Sequence, residues 1–172
     1  VGGADTDTLT MTAGGTTTYT AASVSGVEKF ELTGKATAST TDFKNLTGVT
    51  EVTIANGSDL THTVQGLNSG VTVNLLEDAN VATIDTADAA EIFIDVEVDK
   101  NNGSVSVTDT AAVTITGKVG TGDIQALALD AVDTTSLSLA TTSTNDLDTG
   151  AVTNTDKLAT YNLTTADHGG TI

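Results

Sequence analysis

The chain has no cysteine, no proline and no tryptophan in 172 residues, and aromatics make up 3% of it. Without cysteine, disulfide staples are excluded, so rigidity has to come from a repeating scaffold or from a bound metal. The shortage of rings means that burial rests on Val, Leu, Ile and Ala packed in narrow layers. Positive charge is scarce as well: 6 Lys plus Arg stand against 23 Asp plus Glu, a net charge of -17. The basic patch that nucleic acids and anionic membranes require is thereby excluded, and a field of this sign attracts cations. No apolar run approaches the ~20 residues of a membrane-spanning helix, and no basic, apolar leader opens the chain. It begins with Val1 and is read as a fragment of a longer protein.

What is present is a repeat. In Leu46-Thr47-Gly48-Val49-Thr50-Glu51-Val52-Thr53-Ile54, Val52 and Ile54 point one way and Thr53 the other, the period-2 pattern of a strand with one buried and one wet face. Gly26-Val27-Glu28-Lys29-Phe30-Glu31-Leu32-Thr33-Gly34 repeats it, with Phe30 and Leu32 in the same places. Further pairs follow at Val73/Leu75, Ile92/Ile94, Val113/Ile115, Leu137/Leu139 and Tyr161/Leu163, roughly 19 to 24 residues apart. A fixed spacing in this range marks a solenoid or array. Thr and Asp are abundant and Gly occurs at 17 positions, which suits strands joined by tight corners.

The expected fold is therefore all-β: an irregular right-handed parallel β-solenoid with rungs of about 19–24 residues, the alternative being a β-sandwich. The whole chain reads as one module, with a Gly- and Thr-rich capping segment at 1–25, solenoid repeats over 26–165 and a linker at 166–172. Gly26, Gly48 and Gly66 or Gly70 are expected at corners that need positive φ. Residues 40–46 suit a short strand or a turn of helix, and Asp123 to Val132 has room for a helical turn or two. Asp99-Lys100-Asn101-Asn102-Gly103 has the composition of a hairpin between Val96/Val98 and Val105/Val107, which a sandwich would use.

Little in the chain resembles catalytic machinery. His62 and His168 are the only histidines, and both are expected at the surface. Glu28, Glu31, Glu51 and Glu91 supply carboxylates for glycoside hydrolysis in number only; Glu28 and Glu31 read as solvated, and no aromatic platform accompanies them. Gly34-Lys35 is followed by Ala36 and Gly117-Lys118 by Val119, so there is no phosphate loop. Acid-rich turns remain as candidate hard-cation ligands: Asp5 and Asp7, Asp99 and Asn101, and Asn145, Asp146 and Asp148. Several oxygens on one loop suit calcium, although none of these loops has EF-hand spacing. The clusters Thr16-Thr17-Thr18 and Thr40-Thr41 also raise a flat threonine array of the ice-binding kind, which requires a regular Thr-x-Thr rank on every rung.

Three resemblances add to this. Gly2, Gly3, Asp7 and Leu9 match the Gly-Gly-x-Gly-x-Asp-x-apolar-x nonapeptide of RTX proteins, with Asp5 in the place of the next glycine. Leu46-x-x-Val49-x-x-Val52-x-Ile54, with Asn56 after it, resembles a leucine-rich repeat. The phrases Ser25 to Gly34 and Asn45 to Ile54, together with the RTX-like start, resemble bacterial surface-layer proteins and large adhesins exported by type I secretion. That resemblance implies a structural module without enzyme activity, located on the outside of a Gram-negative cell. It implies calcium as cofactor and self-association into a lattice, without nucleic acid and without direct membrane insertion. An outer-membrane polysaccharide or a host glycan is the partner in the alternative adhesin or carbohydrate-binding reading.

Overall fold

The computed structural model describes residues 4–12, 15–20, 24–33, 38–55, 58–76, 79–97, 101–119, 124–131, 133–141 and 147–164. These residues form strands and corners and no helix. The strands are β1 (Thr8–Thr12), β2 (Gly15–Thr20), β3 (Lys29–Thr33), β4 (Ser39–Asn45), β5 (Glu51–Ala55), β6 (Ser58–Leu67) and β7 (Thr72–Leu75). They continue as β8 (Ala79–Glu97), β9 (Asn101–Val119), β10 (Ile124–Ala131), β11 (Ser136–Thr141), β12 (Leu147–Thr153) and β13 (Thr160–Thr164).

Every described ladder is parallel. A front sheet runs β1-β3-β5-β7, then the second halves of β8 and β9, then β11 and β13. A back sheet runs β2-β4-β6, then the first halves of β8 and β9, then β10 and β12. Each rung thus spends one strand on the front and one on the back, which makes the chain a parallel β-solenoid. Seven such pairs stack, and β13 opens an eighth rung. The 19-residue strands β8 and β9 bend through a corner and serve both sheets.

The register corrects the reading of the repeat at one step. Leu9, Phe30, Val52, Val73, Ile94, Ile115, Leu139 and Leu163 lie over one another at intervals of 21, 22, 21, 21, 21, 24 and 24 residues. Val73 therefore pairs with Ile94 and Leu75 with Val96, two residues on from the pairing that the Ile92/Ile94 doublet suggests. The unbroken apolar alternation Ile92, Ile94, Val96 leaves this choice open in sequence, because a slip of two keeps the same face inward. The hairpin is overturned by the same ladders. Val96 pairs with Gly117 and Val105 with Ala82 and Leu129, all in parallel, so the sandwich alternative falls. Residues 124–131 and 39–45 are strands. A strand is what the stack demands there, since a helical turn would leave the backbone groups of both neighbouring rungs without partners.

Alternation along each strand fills a narrow interior. Phe30, Leu32, Val52, Ile54, Val73, Leu75, Ile92, Ile94 and Val113 face inward from the front sheet, each no more than 1% exposed. Burial of an aliphatic side chain of this size contributes about 1.5–3 kcal/mol, so a few residues per rung hold each turn in place. The rings do not spread evenly through this core. Tyr19, Phe30 and Phe43 gather in the first rungs, with Phe30 and Phe43 edge to face at a centroid distance of 5.0 Å. Gly26 and Gly48 turn equivalent corners at φ 63 and 92, where a side chain would be strained.

Candidate functional sites

Four kinds of polar feature lie in or on this stack. The first is inside it. His62 is 2% exposed, correcting the expected surface position, because the alternation of β6 sends His62 and Val64 inward. Register brings it over Ser39, whose Oγ lies 2.8 Å from His62 Nδ1. Contact between a hydroxyl and an imidazole is the first element of a nucleophile and base pair. Here both groups are sealed in the interior, and the contact satisfies two buried polar groups. Burial pulls the His62 pKa below its ordinary value.

The second feature is Asp42, buried at 3% although it sits on the outward alternate of β4. Its Oδ1 accepts the Lys44 backbone N–H at 3.0 Å, and its Oδ2 meets Lys44 Nζ at 3.3 Å. Burial pushes the carboxyl up, but the hydrogen bonds from the Lys44 N–H, the Gln65 side chain and the Lys44 ammonium outweigh it and hold the pKa below the usual range.

At one corner, Thr86, Thr110 and Thr134 recur at 24-residue intervals, buried at 5%, 1% and 1%. Thr86 Oγ1 and Thr110 Oγ1 are 2.9 Å apart, and both lie within hydrogen-bond reach of the Thr108 carbonyl. Thr134 Oγ1, next along the row, has no hydrogen-bond partner. Sequence reading passed over this row, since Thr86 stands in a turn-like run; the signal was a threonine repeating in step with the apolar pairs.

The fourth feature is the acidic surface, where several of the described carboxylates tie one rung to the next. Glu28 Oε2 accepts the Asp7 N–H at 2.9 Å, Glu31 Oε2 accepts the Thr10 hydroxyl at 2.9 Å, and Glu51 pairs with Lys29 at 3.0 Å. Glu28 and Glu31 are half-buried and bonded where free solvation was expected. On β9, the Thr108 hydroxyl donates to Asp85 Oδ1 at 3.0 Å, and Lys157 bridges to Asp133.

Of the expected metal ligands, Asp5, Asp7, Asn101 and Asp148 lie among the described residues. Asp5 is exposed; Asp7 is half-buried, and its carbonyl accepts the N–H groups of Glu28 and Lys29. Asn101 and Asp148 fall within β9 and β12, with Asn101 paired to Gln125. Asp99, Asn145 and Asp146 lie outside the described residues, as do His168, Gly2 and Gly3. Among the described residues no three His, Cys, Asp or Glu side chains converge to hold a metal ion. On the outer face of the back sheet Thr16, Thr40, Thr63, Thr83 and Ser106 form one hydroxyl column. Its neighbouring column is Thr18, Asp42, Gln65, Asp85 and Thr108, so paired Thr ranks do not form there. A cleft of about 90 Å³ opens at the corner lined by Val24, Ser25, Gly26, Val27, Leu46 and Thr47. That is well short of the roughly 300–1,000 Å³ of small-molecule sites.

The fold defines a class, the parallel β-solenoids. Within it no family model, no curated protein and no solved structure matches the chain.

Proposed function

We propose that this chain is a structural module of a secreted bacterial surface layer on the outside of a Gram-negative cell, where copies associate into a lattice with the help of calcium. The observation that carries the reading is the stack itself: seven rungs locked by parallel ladders, with ionic and polar ties from each rung to the next. Such an architecture invests its side chains in continuity, as a building element does. Net charge of -17 supports the calcium part, because like-charged copies repel until a divalent cation neutralises the gap between them.

The test is a titration of the purified chain with calcium, following melting temperature and particle size together, with magnesium as the control for charge screening alone. Particle growth at micromolar to millimolar calcium that a chelator reverses supports the proposal. A monomer at every calcium concentration, in the full-length protein too, defeats it. Retention on glycans without self-association would point to a binding module.

A further inference from the structure

The two ends of the front sheet are built to match. Among the described residues β1 pairs with β3 alone and β13 with β11 alone, so each leaves one edge of its backbone open. Because every ladder is parallel, the two edges face opposite ways along the axis and offer complementary donors and acceptors. We propose that β13 of one copy adds to β1 of the next, so that copies join head to tail and the front sheet continues through the joint. This joint rests on the self-associating reading above and supplies its contact.

Backbone directions fit the joint. The Asp7 carbonyl accepts the Lys29 N–H at 3.1 Å, which turns the peptide groups of Asp7, Leu9 and Met11 toward β3 and leaves those of Thr8, Thr10 and Thr12 on the open side. At the other end the Thr160 N–H donates to the Thr135 carbonyl at 3.1 Å. Thr160, Asn162 and Thr164 therefore face β11, and the peptide groups of Tyr161 and Leu163 lie on the open side. Laying Thr160 under Thr8 of the next copy repeats the register that sets Ser136 against Thr160 within the stack. Half-buried Tyr161 then meets half-buried Leu9, and exposed Asn162 meets exposed Thr10. Leu9 and Met11, only partly covered at this end, gain the apolar cover that inner rungs already have.

Charge favours the same place. A net charge of -17 sets copies against one another. Strands β1 and β13 read Thr-Leu-Thr-Met-Thr and Thr-Tyr-Asn-Leu-Thr, with no Asp, Glu, Lys or Arg between them. They also lack the lysine, proline or bulge by which edge strands usually refuse a partner, and their ladders run without a shift in register. In the proposed register Lys157, three residues before Thr160, comes level with exposed Asp5, three before Thr8. Lys157 already reaches back one rung to Asp133, and Asp5 of the next copy brings a second acid to its other side. Such a head-to-tail contact does not close on itself, so it extends the row one copy at a time.

A chain without cysteine allows a direct test. Thr8→Cys and Thr160→Cys, both at exposed positions, are made in separate copies, mixed in calcium and oxidised. Paired Cα atoms of adjacent parallel strands stand about 4.8 Å apart, within the range a disulfide spans. Expected is a disulfide-linked dimer of the two variants, well above what either gives alone or what Thr8→Cys gives with Thr50→Cys, an exposed position on the third rung. A Thr8→Pro, Thr12→Pro double variant removes two open-edge donors and spares the bonds to β3; it should need about tenfold more protein to assemble. Particle growth in calcium without the selective cross-link, or with the proline variant unimpaired, overturns the joint and leaves the surface-layer reading standing. A wild type that neither assembles nor cross-links through these positions defeats both.

Discussion

Gly66 lies flat against the backbone of Lys44: a β-carbon on Gly66 would stand 2.6 Å from the Lys44 nitrogen. The contact joins β6 to β4 beside a break in register, where Gln65 pairs with Asp85 and Leu67 with Thr86, and Gly66 adopts φ 71 to make it. Gly66→Ala therefore meets two penalties, the left-handed backbone and the clash. Gly70, at φ 83 with open space around it, meets only the first. Urea denaturation should show Gly70→Ala costing about 1 kcal/mol and Gly66→Ala at least about twice that. Equal costs would mean that β4 and β6 are not so close.

Asp42 gives the fold a response to acid. Its folded pKa is depressed, so its stabilisation is present above the unfolded value of about 3.9 and lost as pH falls through the lower folded value. Asp42→Ala should cost about 1–3 kcal/mol at pH 7. That difference from wild type should shrink as pH falls below about 4 in paired thermal melts.

The threonine corner predicts a change of sign along one row. Thr110→Val breaks the 2.9 Å contact with Thr86 and should destabilise by about 1 kcal/mol. Thr134→Val removes a buried hydroxyl that has no partner and should stabilise by a similar amount, about 1 kcal/mol. Two denaturation curves suffice, and loss of stability in both variants would refute the assignment.

Lys29 and Glu51 bridge neighbouring rungs at 3.0 Å, with side chains 37% and 30% exposed. A double-mutant cycle with Lys29→Met and Glu51→Gln should return a coupling of about 0.2–1 kcal/mol that fades in 1 M salt. A coupling insensitive to salt would point to packing of the lysine stem instead.

Much of this fold was readable because the front sheet repeats itself in few, plain residues. Phe30/Leu32 and Val52/Ile54 declare an inward face, and their spacing declares the stacking. Positive φ at Gly26 and Gly48 follows from the same reading, and of the alternatives Gly66 or Gly70 both adopt it. Where alternation ran on without interruption, as from Ile92 to Val96, the pattern was invariant to a slip of two and the register was lost. The back sheet was less legible, since its inward positions include Ser39, Thr41 and His62, residues that in isolation read as surface. Their burial is decided by neighbours about 20–24 residues away, which local composition does not record. The acids misled in the same way. Glu28 and Glu31 looked like solvated charges, and only the stack shows them reaching to Asp7 and Thr10.

The parallel stack also sets how the chain answers tension. With β1 at one end of the front sheet and β13 at the other, a load applied between them runs along the axis and reaches the terminal rungs first. Peeling one rung gives up about 4.8 Å of height. It releases 21 to 24 residues of chain, roughly 70–80 Å at full stretch. The solenoid is in this sense a row of mechanical fuses, lengthening in discrete steps while every rung not yet reached keeps its shape.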